Sequence, residues 1–502
     1  MSEKMNGQKK YILSLDLGSS AAGAVLFSRQ GQVVKQVQKE YEKYYPQPGW
    51  IEVDPNEIWF TMLSATEELI GSAGIRAEEI AGIGIASQRE TTVIWDRQSG
   101  EPVYNAIQWQ DRRTSKLCDE FRYQGFTGMI RQKTGLILDA YFSASKISWI
   151  LDHVKDGRIR AEQGRLAFGT IDAWLVWKLT AGKTHVTDVT NASRTMLFNI
   201  HSLQWDEELL RLFNIPHQLL PGICSNSEII AHTAPSILEA AIPIAAMAGD
   251  QQAALFGQMC LEPGMVKNTY GSGCFALMNI GSKPIISDQQ LLTTIAWRIG
   301  DEVTYALEGS VFGGSSVFRW IRDGLGLIES TAEIEALAQT EPDNGGVLFV
   351  PALSGLGTPY WDPYARGMII GITRGTTSGH IARAALEGVA LGIADALEAM
   401  EKDSGRAITE LRVAGTSATY EFFMQMQTNI LGYPVMRPSV MPASATGVAY
   451  LAGLATGFWT LEEVKAQYTI ARVFEPDQAK AGQTALREKW RKAIARVKNW
   501  DF

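Results

Sequence analysis

Short apolar runs separated by small-residue turns open the chain. Residues 11–15 (YILSL), 24–27 and 33–40 read as three consecutive strands, with DLGSS closing the first. Helical spacing takes over at 54–70, with Asp54 at the N-cap position and Pro55 at the first helical position. The run 80–86 (IAGIGIA) is apolar or small throughout, the pattern of a strand buried on both faces. The second half repeats this order. Residues 265–269, 275–280, 292–298 and 304–307 read as strands, followed by a helix at 314–323 and a strand at 347–351. Further helices are expected at 379–400, 418–431 and 443–455. In a last one, Leu486, Trp490, Ile494 and Val497 form one apolar stripe with Lys and Arg opposite. Two halves that each begin with a hairpin on a small-residue turn predict a duplicated α/β unit with a cleft between the copies.

Composition narrows the function classes. A chain of 502 residues is too long for one hydrophobic core, so two large domains are expected. Apolar content of 46% and charged content of 20% are those of a soluble globular protein. The net charge of −8 speaks against a nucleic acid or an anionic membrane as main partner. Four cysteines without a CxxC pair fit reduced thiols and a cytoplasmic location. The histidines form neither HExxH nor a cluster, and GxxxxGK[ST] is absent, which excludes a P-loop. The first ten residues contain no apolar signal-peptide core, and the most membrane-like stretch, 447–459, is too short to span. No integral membrane association is expected; a homo-oligomer is left open.

The stretch 249–275 carries the densest chemistry. Asp250 stands between Gly249 and the amides Gln251 and Gln252, and the turn Tyr270-Gly-Ser-Gly-Cys274 leaves backbone N–H groups open to an oxyanion. An acid beside an anion cradle suits phosphoryl transfer to an alcohol. The bland alternative is a buried acid at a strand end followed by an ordinary hairpin. Asp16 closes the first strand before small residues, a second phosphate or metal-water site or a plain hairpin acid. Arg89-Glu90 follows a buried strand, where ligands gather in α/β sheets. The pair can grip vicinal hydroxyls, one donating and one accepting, or simply close the strand end as a salt bridge. Trp109 and Tyr141 read as core or as ligand wall, and the backbone donors of Ala414-Gly-Thr-Ser417, entering a helix, could meet a nucleotide.

Several separated blocks then act together: SQRETTVIWD (87–96), NAIQWQDRRT (105–114), NASRTMLFNI (191–200), GDQQAALFGQ, KNTYGSGCF and PYWDPYARG (359–367). With them the chain resembles the FGGY carbohydrate kinases, and within that family the glycerol kinases, from about residue 11 to 459. The resemblance implies an α/β fold of two duplicated ribonuclease-H-like domains of the actin/hexokinase type: 1–256 binding the polyol, 257–502 the nucleotide. It implies ATP-dependent phosphorylation of glycerol to glycerol 3-phosphate, with ATP and Mg²⁺ as cofactors and ADP released. The implied polyol pocket is Arg89, Glu90, Trp109, Tyr141, Asp250, Gln251 and Phe275, with Asp250 also the general base. Asp16 would hold a water of the Mg²⁺. Ser19, Ser20, Gly271, Ser272, Ser315, Arg319, Thr416 and Tyr420 would face the nucleotide. On that side the chain departs from the family pattern: Gly23 stands for a phosphate-contacting Arg, Ser272 for Thr, Ser315 for Gly and Arg319 for Gln. The adenosine loop carries Thr416 and Tyr420. The alternatives are a polyol-binding sensor with a degenerate nucleotide site, and a kinase of another small polyol or triose.

Overall fold

Residues 9–440, 442–477 and 481–500 are described in the computed structural model. Strand β1 (Tyr11–Leu17) and β2 (Ala21–Ser28) pair antiparallel around Gly18-Ser19-Ser20, placing Asp16 opposite Gly23. β3 (Val33–Glu40) lies along β2, and β4 (Ile80–Ser87) runs parallel to β1. With β5 (Ser227–His232) and β6 (Pro243–Gly249) they form a six-stranded sheet in the order β5-β6-β4-β1-β2-β3. Helix α1 (Pro55–Ala73) makes the crossover from β3 to β4. Asp54 caps it through the Asn56 N–H at 2.8 Å, and Gly74 ends it in the left-handed conformation. Ile58, Trp59, Met62 and Leu69 bury its inner face. Helix α2 (Asp250–Gly257) starts directly where β6 stops.

The second sheet has seven strands: β7 (Val266–Tyr270), β8 (Cys274–Gly281), β9 (Leu292–Ile299), β10 (Glu302–Val311), β11 (Leu411–Ala414), β12 (Val435–Pro438) and β13 (Ile470–Phe474). Their order is β9-β10-β8-β7-β11-β12-β13, with β7 and β8 the hairpin around Gly271-Ser272-Gly273. In each sheet the first hairpin strand has a parallel neighbour: β4 beside β1, β11 beside β7. The run at 347–351 does not play that part. It forms Leu348–Val350, paired with Met368–Ile370 in a separate two-stranded sheet. A parallel neighbour needs a crossover, and the elements between β10 and β11 supply it: helix α3 (Ser315–Asp323) and the 27-residue helix α4 (Ser378–Ser404). Helix α5 (Glu421–Leu431) follows β11 after a 3₁₀ turn, Thr416–Thr419.

Helix α6 (Ala443–Ala455) follows β12 in sequence yet packs on the first sheet and on α2. Its small residues let neighbours approach its backbone closely: Ser14 Oγ donates to Ala445 O at 2.7 Å, and a Cβ on Gly447 would lie 1.8 Å from Ala253 O. A Cβ on Gly84, in β4, would lie 2.3 Å from Val448 O. The terminal helix α7 (Ala481–Val497) buries Trp490, Ile494 and Val497 in the second core, with Leu486 packed beside them, the expected stripe. Among the described residues no helix is long and apolar enough to cross a membrane.

Candidate active site

Asp250 is the first residue of α2, where unsatisfied backbone donors favour an acid. Gly249 precedes it, its N–H donating to Thr190 Oγ1 at 2.8 Å. Both carboxylate oxygens are engaged from the next residue: the Gln251 backbone N–H reaches Oδ1 at 2.8 Å and the Gln251 side-chain Nε2 reaches Oδ2 at 3.0 Å. Arg89 Nε lies 3.5 Å from Oδ1. The Asp250 side chain keeps 24% of its surface exposed, so a ligand hydroxyl has access to a carboxylate already held in one orientation.

Arg89 and Glu90 belong to a chain of alternating charge. Glu308, on β10, takes Arg89 Nη1 at 2.5 Å and Nη2 at 3.0 Å, and receives Arg194 Nη2 at 3.0 Å. Arg194 Nε in turn donates to Glu90 Oε1 at 2.6 Å. Burial alone would raise the Glu308 carboxyl, but Arg194 and Arg89 outweigh it and hold it down to about 2. Gln252 Oε1 also accepts from Arg89 Nη1 at 3.3 Å. Glu90 adopts a left-handed φ of 62°, uncommon for a residue with a side chain. Its carbonyl is pinned by Ser143 Oγ at 2.9 Å and Thr92 Oγ1 at 3.1 Å, which presents the side chain to Arg194.

Aromatic rings close this group. Trp109 meets Tyr141 edge-on at 5.5 Å and Phe275 at 6.0 Å between centroids, and Arg89 lies 6.0 Å from the Phe275 ring. The Trp109 Nε1–H donates to Ser19 Oγ at 2.7 Å, linking the wall to the first hairpin turn. Asp16, beside that turn, is pushed up to about 7 by burial and by the neighbouring Asp250 carboxylate.

Trp109, Tyr141 and Phe275 line a cleft of about 1750 Å³ together with Ser20, Ser272 and Arg319. The second hairpin turn is tied to the start of α3: Ser315 N–H donates to Gly271 O at 2.8 Å, and Arg319 Nη2 to Ser272 Oγ at 2.9 Å. Thr416 and Tyr420 sit farther along. Gly415 before them is left-handed at φ 91°, and a Cβ there would lie 2.4 Å from Tyr270 O. Tyr420 packs on α3 through Phe318, 6.2 Å between ring centroids, and its hydroxyl donates to Thr331 Oγ1 at 3.3 Å. Gly23 lies in β2 opposite Asp16, beyond the turn itself.

Four side chains of this site had no place in the sequence-based pocket: Arg194, Gln252, Lys267 and Glu308. Lys267 is fully buried on β7 and reaches Gln251 Oε1 at 2.6 Å. The signal for three of them was a full charge inside an otherwise apolar or small run, as in NASRTM, MVKNTY and YALEGS. All four cysteines are buried and unpaired. The described residues contain no His/Cys/Asp/Glu group of three or more arranged to hold a metal ion.

Residues 11–257 match the N-terminal domain of the FGGY family of carbohydrate kinases, and residues 266–456 its C-terminal domain. The chain is 54% identical over 497 residues to a glycerol kinase of Parabacteroides distasonis, covering 99% of this chain and all of that one. It is 53% identical over 492 residues to a glycerol kinase of Koribacter versatilis, covering 98% and 99%. The structure matches that of Plasmodium falciparum glycerol kinase with ADP at a TM-score of 0.89 and 34% identity, covering 99% of each chain. A xylulose kinase from Lactobacillus acidophilus, 24% identical, shares the fold at a TM-score of 0.87 over 97% of this chain and 98% of that one. Two hairpin-led sheets, a cleft lined from both of them, an oriented acid beside its aromatic wall and full-length likeness to these enzymes lead to one conclusion: the chain belongs to the FGGY family of carbohydrate kinases.

Proposed function

We propose that the protein is an ATP- and Mg²⁺-dependent kinase that converts glycerol to glycerol 3-phosphate, releasing ADP. The observation that carries this reading is the Asp250 carboxylate, oriented by two Gln251 donors, next to Arg89 and the ring wall of Trp109, Tyr141 and Phe275. The full-length relatives named glycerol kinase support the choice of alcohol. Residues 1–256 would supply most of the polyol site and residues 257–502 most of the nucleotide site, acting in the cytoplasm; a homo-oligomer is compatible with this reading.

In this mechanism Arg89 donates to one hydroxyl oxygen and Glu90 accepts from a neighbouring hydroxyl, while the rings cover the carbon chain. Asp250 takes the proton of the terminal hydroxyl as that oxygen bonds to the γ-phosphorus and the bond to the ADP oxygen breaks. Ser19, Ser20, Gly271, Ser272, Ser315 and Arg319 would offer backbone and side-chain donors to the phosphates, with Thr416 and Tyr420 on the adenosine side. Asp16 fits a cation site: it is half-buried, carries a neighbouring carboxylate, and among the described residues no basic side chain touches it. Bound Mg²⁺ would neutralise phosphate charge there.

The sensor alternative is not favoured, since a polyol binder has no need of Asp16 and Asp250 together. Separate calorimetric titrations of glycerol and ATP, followed by an assay for ADP, test the proposal. Binding of both and ADP formation dependent on glycerol are expected; glycerol binding with no ATP binding would select the sensor, and preference for a different polyol would move the substrate.

A further inference from the structure

We propose that Lys267 is a positioning residue that reaches across from the second sheet and, through the Gln251 amide, aims the Asp250 carboxylate at the alcohol. The inference rests on the assignment of Asp250 as base. Lys267 Nζ donates to Gln251 Oε1 at 2.6 Å, and Gln251 Nε2 donates to Asp250 Oδ2 at 3.0 Å. An ammonium has donors only, so the amide oxygen must face Lys267 and the NH₂ must face the carboxylate. Turned over, the amide would set its oxygen against the Asp250 oxygen and its NH₂ against Nζ, two repulsive contacts. Lys267 thereby fixes which end of Gln251 Asp250 sees. Its two other acceptors, Thr269 Oγ1 and Phe275 O, both at 3.1 Å, hold the ammonium in place and tie it to the ring that lines the cleft.

A space-filling role does not account for this residue. The ammonium is fully buried and its three acceptors are all neutral, so the charge carries a desolvation cost that a methionine of similar length would avoid. Burial, with Arg89 second, draws it down to about 7. The bond also joins two halves of the molecule, since Lys267 stands on β7 of the second sheet and Gln251 on α2, which continues directly from β6 of the first. The oriented base is therefore completed only when the second sheet is docked.

The test compares wild type, Lys267→Met, Gln251→Met and the double variant. Loss of aim predicts a kcat lower by about ten- to a hundredfold in Lys267→Met, with the glycerol KM changed by less than about threefold. Acting through one amide, the two substitutions should be strongly non-additive, the double variant being little slower than Gln251→Met. Unchanged kcat, or additive losses, would overturn the proposal. Should Lys267→Met not fold, Gln251→Glu reads the same contact, since a carboxylate still accepts from Lys267 but cannot donate to Asp250. Its kcat should fall similarly, and a wild-type kcat would overturn the proposal. A crystal structure of the variant supplies an arm independent of turnover: the residue 251 side chain should leave Asp250 Oδ2, and its staying in place would refute the proposal. Absence of ADP formation by the wild type would reject the kinase reading, while the crystallographic arm would still decide the relay.

Discussion

Replacing Asp250 by Asn keeps the side-chain shape and removes the proton acceptor. Turnover should then fall by roughly two powers of ten or more, while calorimetric glycerol affinity changes far less. A variant with near-normal turnover would make Asp250 structural. Glu308 predicts a pH dependence. Its carboxyl is held at about 2 in the folded protein, below the ordinary range, so its stabilisation is complete above that range and disappears as the pH falls through 2. A depression of this size corresponds to about 3 kcal/mol at neutral pH. Glu308→Gln should therefore be markedly less stable than wild type in urea at pH 7, with the gap narrowing as both are acidified toward pH 3. A gap independent of pH would separate the loss from the ion pairs. The two acids also mark what was legible at this scale. Asp250 and Arg89 sit at strand ends beside glycine or small residues, a local signature. Glu308 finds Arg89 across 219 positions and Arg194 across 114, and no spacing rule reports pairs so far apart.

Elements with their own punctuation were legible, and those defined by partners were not. The spans of α1 and of both hairpins follow from an N-cap, a Pro and small turn residues, and 443–455 reads as a close-packed helix from its Ala and Gly alone. The apolar run ending at Val350 gave a strand but not its sheet, since sheet membership depends on which edge is free after α4 has crossed. The expected helix at 418 starts instead as a 3₁₀ turn, because left-handed Gly415 brings the chain against the Tyr270 carbonyl before α5 can wind. Helix α6 supports a sharp prediction. Gly447→Val would force a side chain into the Ala253 carbonyl and push α2, whose first residue is Asp250. The melting temperature should drop by several degrees, in keeping with the roughly 1–3 kcal/mol typical of overpacked contacts. The kcat should fall in the surviving folded protein. Thermal unfolding followed by fluorescence, together with the ADP assay, checks both, and a neutral outcome would mean that α6 can shift without moving the base.

Across the whole molecule the two sheets are tied together through Arg89–Glu308 and Lys267–Gln251, while Ser20, Ser272 and Gly273 of the two hairpin turns line the cleft. Two halves tied by such contacts beside a cleft close by rotation of one half against the other. Small-angle scattering should give a smaller radius of gyration with glycerol plus a non-hydrolysable ATP analogue than with neither. An unchanged radius at saturation would count against closure. The division into two hairpin-led units was legible because the same order of runs occurs twice, but the trespass of α6 onto the first sheet was not. That trespass sets a timetable for synthesis. Ile12, Ala81, Ala86, Ala245 and Ala248 form one core cluster with Val448, Ala449 and Trp459. The first sheet thus leaves the ribosome with α2 alone, through Ala253, Leu255 and Phe256, against that face. Its cover is translated roughly 190 residues later, a delay on the order of ten to forty seconds at about 5–20 residues per second. During that interval the nascent first half carries an apolar face lacking α6, and a ribosome stalled just past residue 256 would hold a client for a chaperone rather than a finished domain.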